Sequence, residues 1–122
     1  MKKILIVDDE PDIRELLNIR LRRVGYDTAF ATDAISAISA ARKETPDLIL
    51  LDLGLPGGEG YVVMERLKNI ASVGWVPIIV VSARAATTHE ERALAAGAAA
   101  FGAKPIDMDV LLGTIQSVLD AA

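Results

Sequence analysis

Several residue types that commonly build functional sites are absent or rare in this chain of 122 residues. It has no cysteine, which excludes disulfides and thiolate metal sites. Its single histidine, His89, excludes a metal site built from several histidines. Aromatic residues are limited to two Phe, two Tyr and one Trp, although 52% of the chain is hydrophobic. The core must therefore be built mainly from Ile, Leu, Val and Ala.

Excess positive charge and long apolar runs are also lacking. The chain has 13 Lys and Arg against 17 Asp and Glu, so its formal net charge is -4 and it is a poor candidate for direct binding to nucleic acid. No apolar run approaches the length of a membrane span, and the first one is too short for a signal peptide. We therefore expect a cytoplasmic protein with a single domain over residues 1–122 and no contact with a membrane.

Short aliphatic runs alternate with helical patterns along the chain. Strands are predicted at residues 4–7, 26–31, 48–51, 76–81 and 99–103. Helices are predicted to begin at Pro11, after a cap at Asp33, at Tyr61, at Thr87, and at Asp107 or Asp109. This alternation indicates an α/β fold with a five-stranded parallel sheet and helices on both faces. Apolar residues at helical spacing predict the buried helix faces, and they include Leu16, Val24, Ile35 and Val110.

Polar side chains gather where the predicted strands end. They are Asp8, Asp9 and Glu10 after the first strand, Asp52 after the third, Ser82 after the fourth and Lys104 after the fifth. Ligands of open parallel sheets bind at this edge, so the three aspartates converge if the first and third strands are neighbours. Carboxylates without histidine suit Mg²⁺, and an ammonium and a hydroxyl suit a phosphoryl group. One carboxylate could itself be the nucleophile and form an aspartyl phosphate.

Each of these residues, taken alone, also has a common structural explanation. An Asp pair before a helix often forms a cap, and Asp52 could simply end a strand at a turn. Ser82 would then be a terminal strand residue and Lys104 a surface charge. Their shared position at strand ends favours a functional site.

The order of these pieces resembles the receiver (phosphoacceptor) domain of two-component response regulators. The matching motifs are VDDE at residues 7–10, LLDLGLPGGEG at 50–60, VVSAR at 80–84 and AAFGAKP at 99–105. The resemblance covers essentially the whole chain and implies a flavodoxin-like (βα)5 fold with strand order 2-1-3-4-5. It also implies a phosphorylation-dependent signalling switch of a phosphorelay. Such a domain catalyses its own phosphorylation and slow autodephosphorylation but is not a turnover enzyme.

The resemblance implies roles for the acidic residues. Asp52 matches the phosphoacceptor, which takes a phosphoryl group from a phosphohistidine. Asp9 and Asp52 match ligands of Mg²⁺, Asp8 holds the metal mainly through water, and Gly54 supplies its backbone carbonyl. Glu10 is expected to start the following helix and to lie outside the site.

The resemblance also assigns the residues of the last two strands. Ser82 matches the switch hydroxyl, Lys104 the lysine that pairs first with the acids and then with the phosphoryl group, and Phe101 the aromatic switch. The Lys104–Pro105 peptide is expected to be cis. The chain departs from the family in having Ser82 where threonine is frequent and Phe101 where tyrosine is frequent. It also has alanines at residues 98–100, where acids are common.

Partners follow from the same resemblance. The phosphoryl donor is expected to be a sensor histidine kinase or a histidine phosphotransfer protein. The output is expected to pass to a downstream protein, or to a C-terminal output domain if the chain is part of a longer regulator. The output surface would be rich in small residues and could support a homodimer; it would include Ala85, Ala86, His89, Phe101 and Ala103.

Two residues near this surface have less specific interpretations. His89 lies beside Glu90 and Glu91 and is expected to be a solvated surface residue. Arg84 either influences the access of water to the acyl phosphate or points to solvent, and the sequence leaves both open.

Two other functional classes remain as alternatives. A phosphatase of the haloacid dehalogenase type carries its nucleophile and acid two residues apart, a spacing that Asp8 and Glu10 match only loosely; sustained turnover of phosphate esters would support it. A flavodoxin-like flavin module needs a phosphate loop rich in Ser, Thr and Gly. The acids after the first strand would repel the flavin phosphate, and a colourless protein would exclude this class.

Overall fold

Five parallel strands form one sheet in the computed structural model, which describes residues 1–55, 60–83 and 86–121, with residues 86–88 described by their backbone only. The strands are β1 (Lys3–Val7), β2 (Asp27–Ala31), β3 (Leu48–Leu51), β4 (Ile78–Ser82) and β5 (Ala100–Ala103). The helices are α1 (Pro11–Arg23), α2 (Ala34–Glu44), α3 (Gly60–Lys68), α4 (Ala86–Ala95) and α5 (Met108–Ala121). The strand order is β2-β1-β3-β4-β5, which confirms the predicted fold class and topology.

The sheet register brings the strand ends together at one edge. Val7 of β1 pairs with Leu51 of β3, and Leu51 pairs with Val80 of β4. At the end of β4, Ser82 pairs with Ala103 of the edge strand β5. The residues that follow these strands therefore meet at the carboxyl edge of the sheet, as the sequence predicted.

Alternating strand residues face two separate cores, because successive side chains of a strand point to opposite faces. On one face, Leu5, Ile49 and other strand residues pack against α2, α3 and α4. On the other face, Ile4, Leu48 and their neighbours pack against α1 and α5. The central strand β3 is buried along its whole length, which explains its unbroken aliphatic sequence LILL.

Helix boundaries follow recognisable signals. The Asp33 carboxylate accepts a hydrogen bond from the Ser36 N–H at 2.7 Å, and the Ser36 hydroxyl accepts one from the Asp33 N–H at 3.2 Å. This reciprocal cap confirms the predicted start of α2, and the bonds from Ser36 lower the pKa of Asp33. Gly25 and Gly97 adopt φ values of 99° and 108° just beyond α1 and α4, a conformation that glycine adopts without a steric penalty.

Several predicted inward-facing residues are exposed. Val110 has 64% of its surface accessible and Ile35 has 78%, and Leu16 and Val24 are also exposed. Only one stripe of each helix faces the sheet. In α5 that stripe is formed by Met108, Leu111 and Ile115. Because an α-helix has 3.6 residues per turn, the neighbouring Val110 points away from this stripe toward solvent.

Strand β4 also differs from the prediction. It starts at Ile78 and includes Ser82, whereas the predicted strand ran over 76–81. Pro77 lies just before the strand, where its carbonyl accepts a hydrogen bond from Ile49 N–H at 3.0 Å.

His89 does not behave as the solvated residue that the sequence predicted. It is half-buried, and its Nδ1 lies 3.0 Å from the hydroxyl of Tyr61, a buried residue in the first turn of α3. The Arg92 guanidinium lies 3.9 Å from the centre of the Tyr61 ring. These contacts tie α4 to α3, which the helical position of His89 alone could not indicate.

Two further expectations concern the backbone and the membrane. The Lys104–Pro105 peptide is cis, as the resemblance implied. Among the helices that the structure describes, none has the length and apolar character needed to cross a bilayer.

Candidate functional site

The turn after β3 holds Asp52 at the sheet edge. The Asp52 N–H donates to the carbonyl of Val7 on the neighbouring strand at 3.0 Å, and one carboxylate oxygen accepts a hydrogen bond from Gly54 N–H at 3.1 Å. Behind this turn, a Cβ at Gly60 would lie only 2.6 Å from Leu53 Cα. The first residue of α3 therefore packs directly against the segment that carries Asp52, and this contact requires glycine.

The turn after β1 holds the first acids. The Asp8 N–H donates to the carbonyl of Ala31 at 3.1 Å, and the Asp8 carboxylate accepts from the Glu10 N–H at 2.9 Å. The Arg14 guanidinium on α1 donates to the Asp8 carbonyl at 2.9 Å. Arg14 was not predicted to belong to the site; its position one helical turn after Glu10 is the only sequence signal for this contact.

Lys104 connects these two turns. Its Nζ lies 2.8 Å from Asp8 Oδ2, 3.0 Å from Glu10 Oε1 and 3.6 Å from Asp52 Oδ2. The first two distances are hydrogen bonds, and the third is an ion pair only. The lysine side chain is 8% exposed, so its charge is largely removed from water and depends on these carboxylates.

The surroundings of the site shift the pKa values of Asp52 and Lys104. Burial raises the pKa of Asp52, as do the charges of Asp8 and Asp9, although the Gly54 N–H and Lys104 act in the opposite direction. Burial acts to lower the pKa of Lys104, but its bonds to Asp8 and Glu10 outweigh burial and raise that pKa to about 12. The lysine is therefore charged at neutral pH.

Glu10 lies in the site, and the expectation that it falls outside was wrong. Carboxylate oxygens of Asp8, Glu10 and Asp52 lie within 4.8 Å of one another. Glu10 does occupy the N-cap position of α1, as expected of a helix-start residue, but its side chain makes no capping hydrogen bond. The side chain instead turns to Lys104, which the sequence could not show because the lysine is 94 residues away.

The remaining predicted residues surround an open cleft at the same edge. The described residues that line it are Asp9, Glu10, Asp52, Gly54, Ser82, Ala83 and Lys104. Asp9 is exposed, and Ser82 is buried at the end of β4. The carbonyl of Ser82 accepts a hydrogen bond from Lys104 N–H at 2.9 Å, which fixes the ends of β4 and β5 together.

Phe101 is on β5 and is not among the described residues that line the cleft. It pairs with Val80 in the sheet register and is partly buried against the core formed with α2, α3 and α4. Phe101 is two residues before the end of β5, and Lys104 follows this strand directly. The switch role that the resemblance implies for the Phe101 ring stays a prediction.

The donor set of the site fits a hard divalent cation. Asp8, Glu10 and Asp52 contribute three carboxylates, and Lys104 contributes one positive charge, which leaves two negative charges unbalanced among these four side chains. Oxygen donors with excess negative charge, open to a cleft, are what Mg²⁺ prefers. The metal ligand set implied by the resemblance differs from this group because it has Asp9 and the Gly54 carbonyl but not Glu10, and it stays a prediction.

Some predicted features lie outside the described residues. These are Arg84, Ala85, the side chain of Ala86, and residues 56–59 of the loop between Gly54 and Gly60. The two interpretations of Arg84 therefore stay open.

Comparison with known proteins identifies relatives of the whole chain. The sequence model of the response regulator receiver domain matches residues 4–116. The transcriptional regulatory protein KdpE of Mycobacterium tuberculosis is 37% identical over 121 residues, which are 98% of this chain and 51% of KdpE. Protein PilH of Pseudomonas aeruginosa is 33% identical over 119 residues, which are 98% of each chain. The chain thus spans about half the length of the transcriptional regulators that it matches.

The fold has close counterparts among solved structures. The response regulator receiver domain protein (CheY-like) from Methanospirillum hungatei superimposes with a TM-score of 0.91 at 30% identity, covering 99% of this chain and 95% of that one. The chemotaxis protein CheY4 of Vibrio cholerae gives a TM-score of 0.89 at 28% identity. That match covers 97% of this chain and 98% of CheY4.

Proposed function

The chain belongs to the family of response regulator receiver domains, and we propose that it is a phosphorylation-dependent switch whose phosphoacceptor is Asp52. The observation that carries the proposal is the contact of Lys104 with three carboxylates at one sheet edge, at 2.8, 3.0 and 3.6 Å. Taking Asp8, Asp52 and Lys104 out of water costs desolvation energy, and such clusters of interacting charges in a cleft are concentrated at functional sites. A phosphoryl group on Asp52 would lie beside the one cation of this cluster.

The proposed reaction is a transfer from a phosphohistidine to Asp52. A carboxylate oxygen of Asp52 bonds to phosphorus, the phosphorus–nitrogen bond breaks, and the histidine nitrogen leaves with the electron pair and takes up a proton. The hydrogen bond from the Gly54 N–H to Asp52 Oδ1 orients the carboxylate, whose other oxygen, Oδ2, lies 3.6 Å from Lys104 Nζ. The Lys104 ammonium stabilises the negative charge on the phosphoryl oxygens.

A bound Mg²⁺ would neutralise the phosphoryl and carboxylate charges that approach each other in this step. The residues proposed to hold it are Asp8, Asp9, Asp52 and the carbonyl of Gly54. What supports this set is the excess of carboxylate charge around the cleft that Asp9, Asp52 and Gly54 line.

The proposed switch starts at the end of β4. The Ser82 hydroxyl turns toward the phosphoryl oxygens, and the Phe101 ring then enters the space that Ser82 leaves. The phosphorylated state thereby shifts an existing equilibrium between two conformations of the surface near α4, β5 and α5.

The proposed partners lie upstream and downstream in a phosphorelay in the cytoplasm. A sensor histidine kinase or a histidine phosphotransfer protein supplies the phosphoryl group. The output passes to a downstream protein or to a further domain of the same polypeptide, because the relatives include both PilH and regulators about twice as long. We also propose homodimerisation as a form of the output. A protein that remains monomeric at high concentration, with and without beryllofluoride, would exclude it.

The test is phosphorylation by acetyl phosphate in the presence of Mg²⁺, followed by intact-protein mass spectrometry. The wild type should gain one phosphoryl group, and Asp52→Asn should gain none. Asp120→Asn is the matched control, because it makes the same substitution at an exposed position near the end of α5. Uptake by Asp52→Asn at the wild-type level would refute the proposal. Sustained release of phosphate from small esters would instead favour a hydrolase.

A further inference from the structure

Lys104 has three N–H groups and three acidic neighbours. An ammonium can donate three hydrogen bonds, and here they point at Asp8, Glu10 and, at longer range, Asp52. If Asp52 carries a phosphoryl group, as proposed above, a phosphoryl oxygen must take over part of this ammonium. One of the carboxylates that now bond to Lys104 Nζ must then lose its hydrogen bond.

Glu10 and Asp8 differ in how firmly they are held. The Asp8 side chain is 5% exposed, and its carboxylate also accepts the Glu10 N–H. The Glu10 side chain is 57% exposed and makes no capping hydrogen bond to α1. A released Glu10 carboxylate would be hydrated by solvent, whereas the buried Asp8 carboxylate would lose the Lys104 bond without gaining water in its place.

Glu10 also opposes the phosphoryl group by its charge. Its carboxylate belongs to the group of oxygens that lie within 4.8 Å of one another and includes one from Asp52. A phosphoryl group carries roughly two negative charges at neutral pH. A carboxylate at this separation repels the incoming group and also pairs with the Lys104 ammonium that would bind it.

We infer that Glu10 is a positioning residue that holds Lys104 in the unphosphorylated site and releases it when Asp52 is phosphorylated. Glu10 thereby sets how readily the phosphorylated state forms. This inference rests on the proposed function and adds the residue with which the phosphoryl group competes for Lys104.

The test uses beryllofluoride, a non-covalent mimic of an aspartyl phosphoryl group, at saturating Mg²⁺ for each variant. Glu10→Gln keeps the size of the side chain and removes its charge, so beryllofluoride should bind about three- to tenfold more tightly than to wild type, as expected for loss of a partly exposed charge pair that faces a dianion. Glu15→Gln, the same substitution at an exposed position of α1, should leave the affinity unchanged.

A second measurement follows the exchange directly. In a crystal structure of the wild-type beryllofluoride complex, the separation of Glu10 Oε1 and Lys104 Nζ should increase from 3.0 Å to beyond hydrogen-bond range. A merely structural role for Glu10 predicts no such change.

The outcomes separate this inference from the proposed function. If wild type fails to bind beryllofluoride with Mg²⁺, the proposed function itself fails. If wild type binds but Glu10→Gln binds equally or more weakly, or if Glu10 stays bonded to Lys104 in the complex, only the role of Glu10 is refuted. Weaker binding together with a loss of Mg²⁺ affinity would make Glu10 a metal ligand instead.

Discussion

Replacing Lys104 with methionine should remove the ammonium that contacts the carboxylates of Asp8, Glu10 and Asp52, while keeping a side chain of similar length. The lysine side chain is 8% exposed and its Nζ lies 2.8 to 3.6 Å from the three carboxylates. Its loss leaves negative charges facing one another in a partly buried site. We therefore expect a large destabilisation in the absence of Mg²⁺.

The magnitude follows from the burial of the partners. Removing one partner of a buried ion pair costs about 3–5 kcal/mol. The lower end applies here, because Glu10 is largely exposed and can turn to water after the substitution. We expect Lys104→Met to lower the free energy of unfolding by about 3 kcal/mol, which for a domain of this size corresponds to a fall in Tm of roughly 10 °C.

Urea unfolding at neutral pH without Mg²⁺ measures this loss. The control is Lys43→Met, which makes the same substitution at an exposed position of α2 and should change stability by less than about 0.5 kcal/mol. Lowering the pH should restore part of the loss, because protonated carboxyls no longer repel each other. If Lys104→Met is as stable as the control, the ion pairs of Lys104 do not contribute the expected stabilisation of about 3 kcal/mol to the free energy of unfolding.

Three further predictions test the surroundings of the site. Gly60→Ala should destabilise the protein by about 1–3 kcal/mol in urea unfolding, because the added Cβ would meet Leu53 Cα at 2.6 Å. Gly113→Ala is the control: this glycine of α5 has open space around it, so the same assay should show a stabilisation of about 0.5–1 kcal/mol. The folded-state pKa of Lys104 is raised to about 12, so the stabilising contribution of Lys104 should be complete below a pH of roughly 10.4 and should disappear as the pH rises toward 12. A difference in unfolding free energy between wild type and Lys104→Met that stays constant through this pH window would contradict this expectation. Mg²⁺ should raise the Tm of the wild type, with a stabilisation of about 2.7 kcal/mol at a concentration of roughly 100 times its Kd. Asp9→Ala should abolish most of this gain, and an equal gain in wild type and Asp9→Ala would show that Asp9 does not bind the metal.

The fold could be predicted because its signals are local. The aliphatic run before Asp52, the cap at Asp33 and the glycines that end α1 and α4 each act within a few residues. The alternation of strands and helices then fixes the class, while the strand order came from resemblance to a known family. Buried faces were harder to predict, because helical periodicity admits more apolar positions, such as Val110, than the sheet can cover.

The site was predicted in outline for the same reason, since parallel strands bring their carboxyl ends to one edge. What could not be predicted were contacts between residues far apart in the chain. Glu10 was assigned to the helix start because its nearest sequence signals are those of a helix, and only the folded chain brings Lys104 to 3.0 Å from it. The Tyr61–His89 contact is hidden in the same way, because it joins two helices whose spacing depends on tertiary packing.

The most direct test of the central claim is to identify the residue that carries the phosphoryl group. The protein would be phosphorylated with acetyl phosphate and Mg²⁺, reduced with deuterated borohydride to convert an aspartyl phosphate into labelled homoserine, and digested for peptide mass spectrometry. The account predicts label at Asp52 alone. Label at Asp8 or Asp9, or a phosphoryl group that resists reduction, would contradict it.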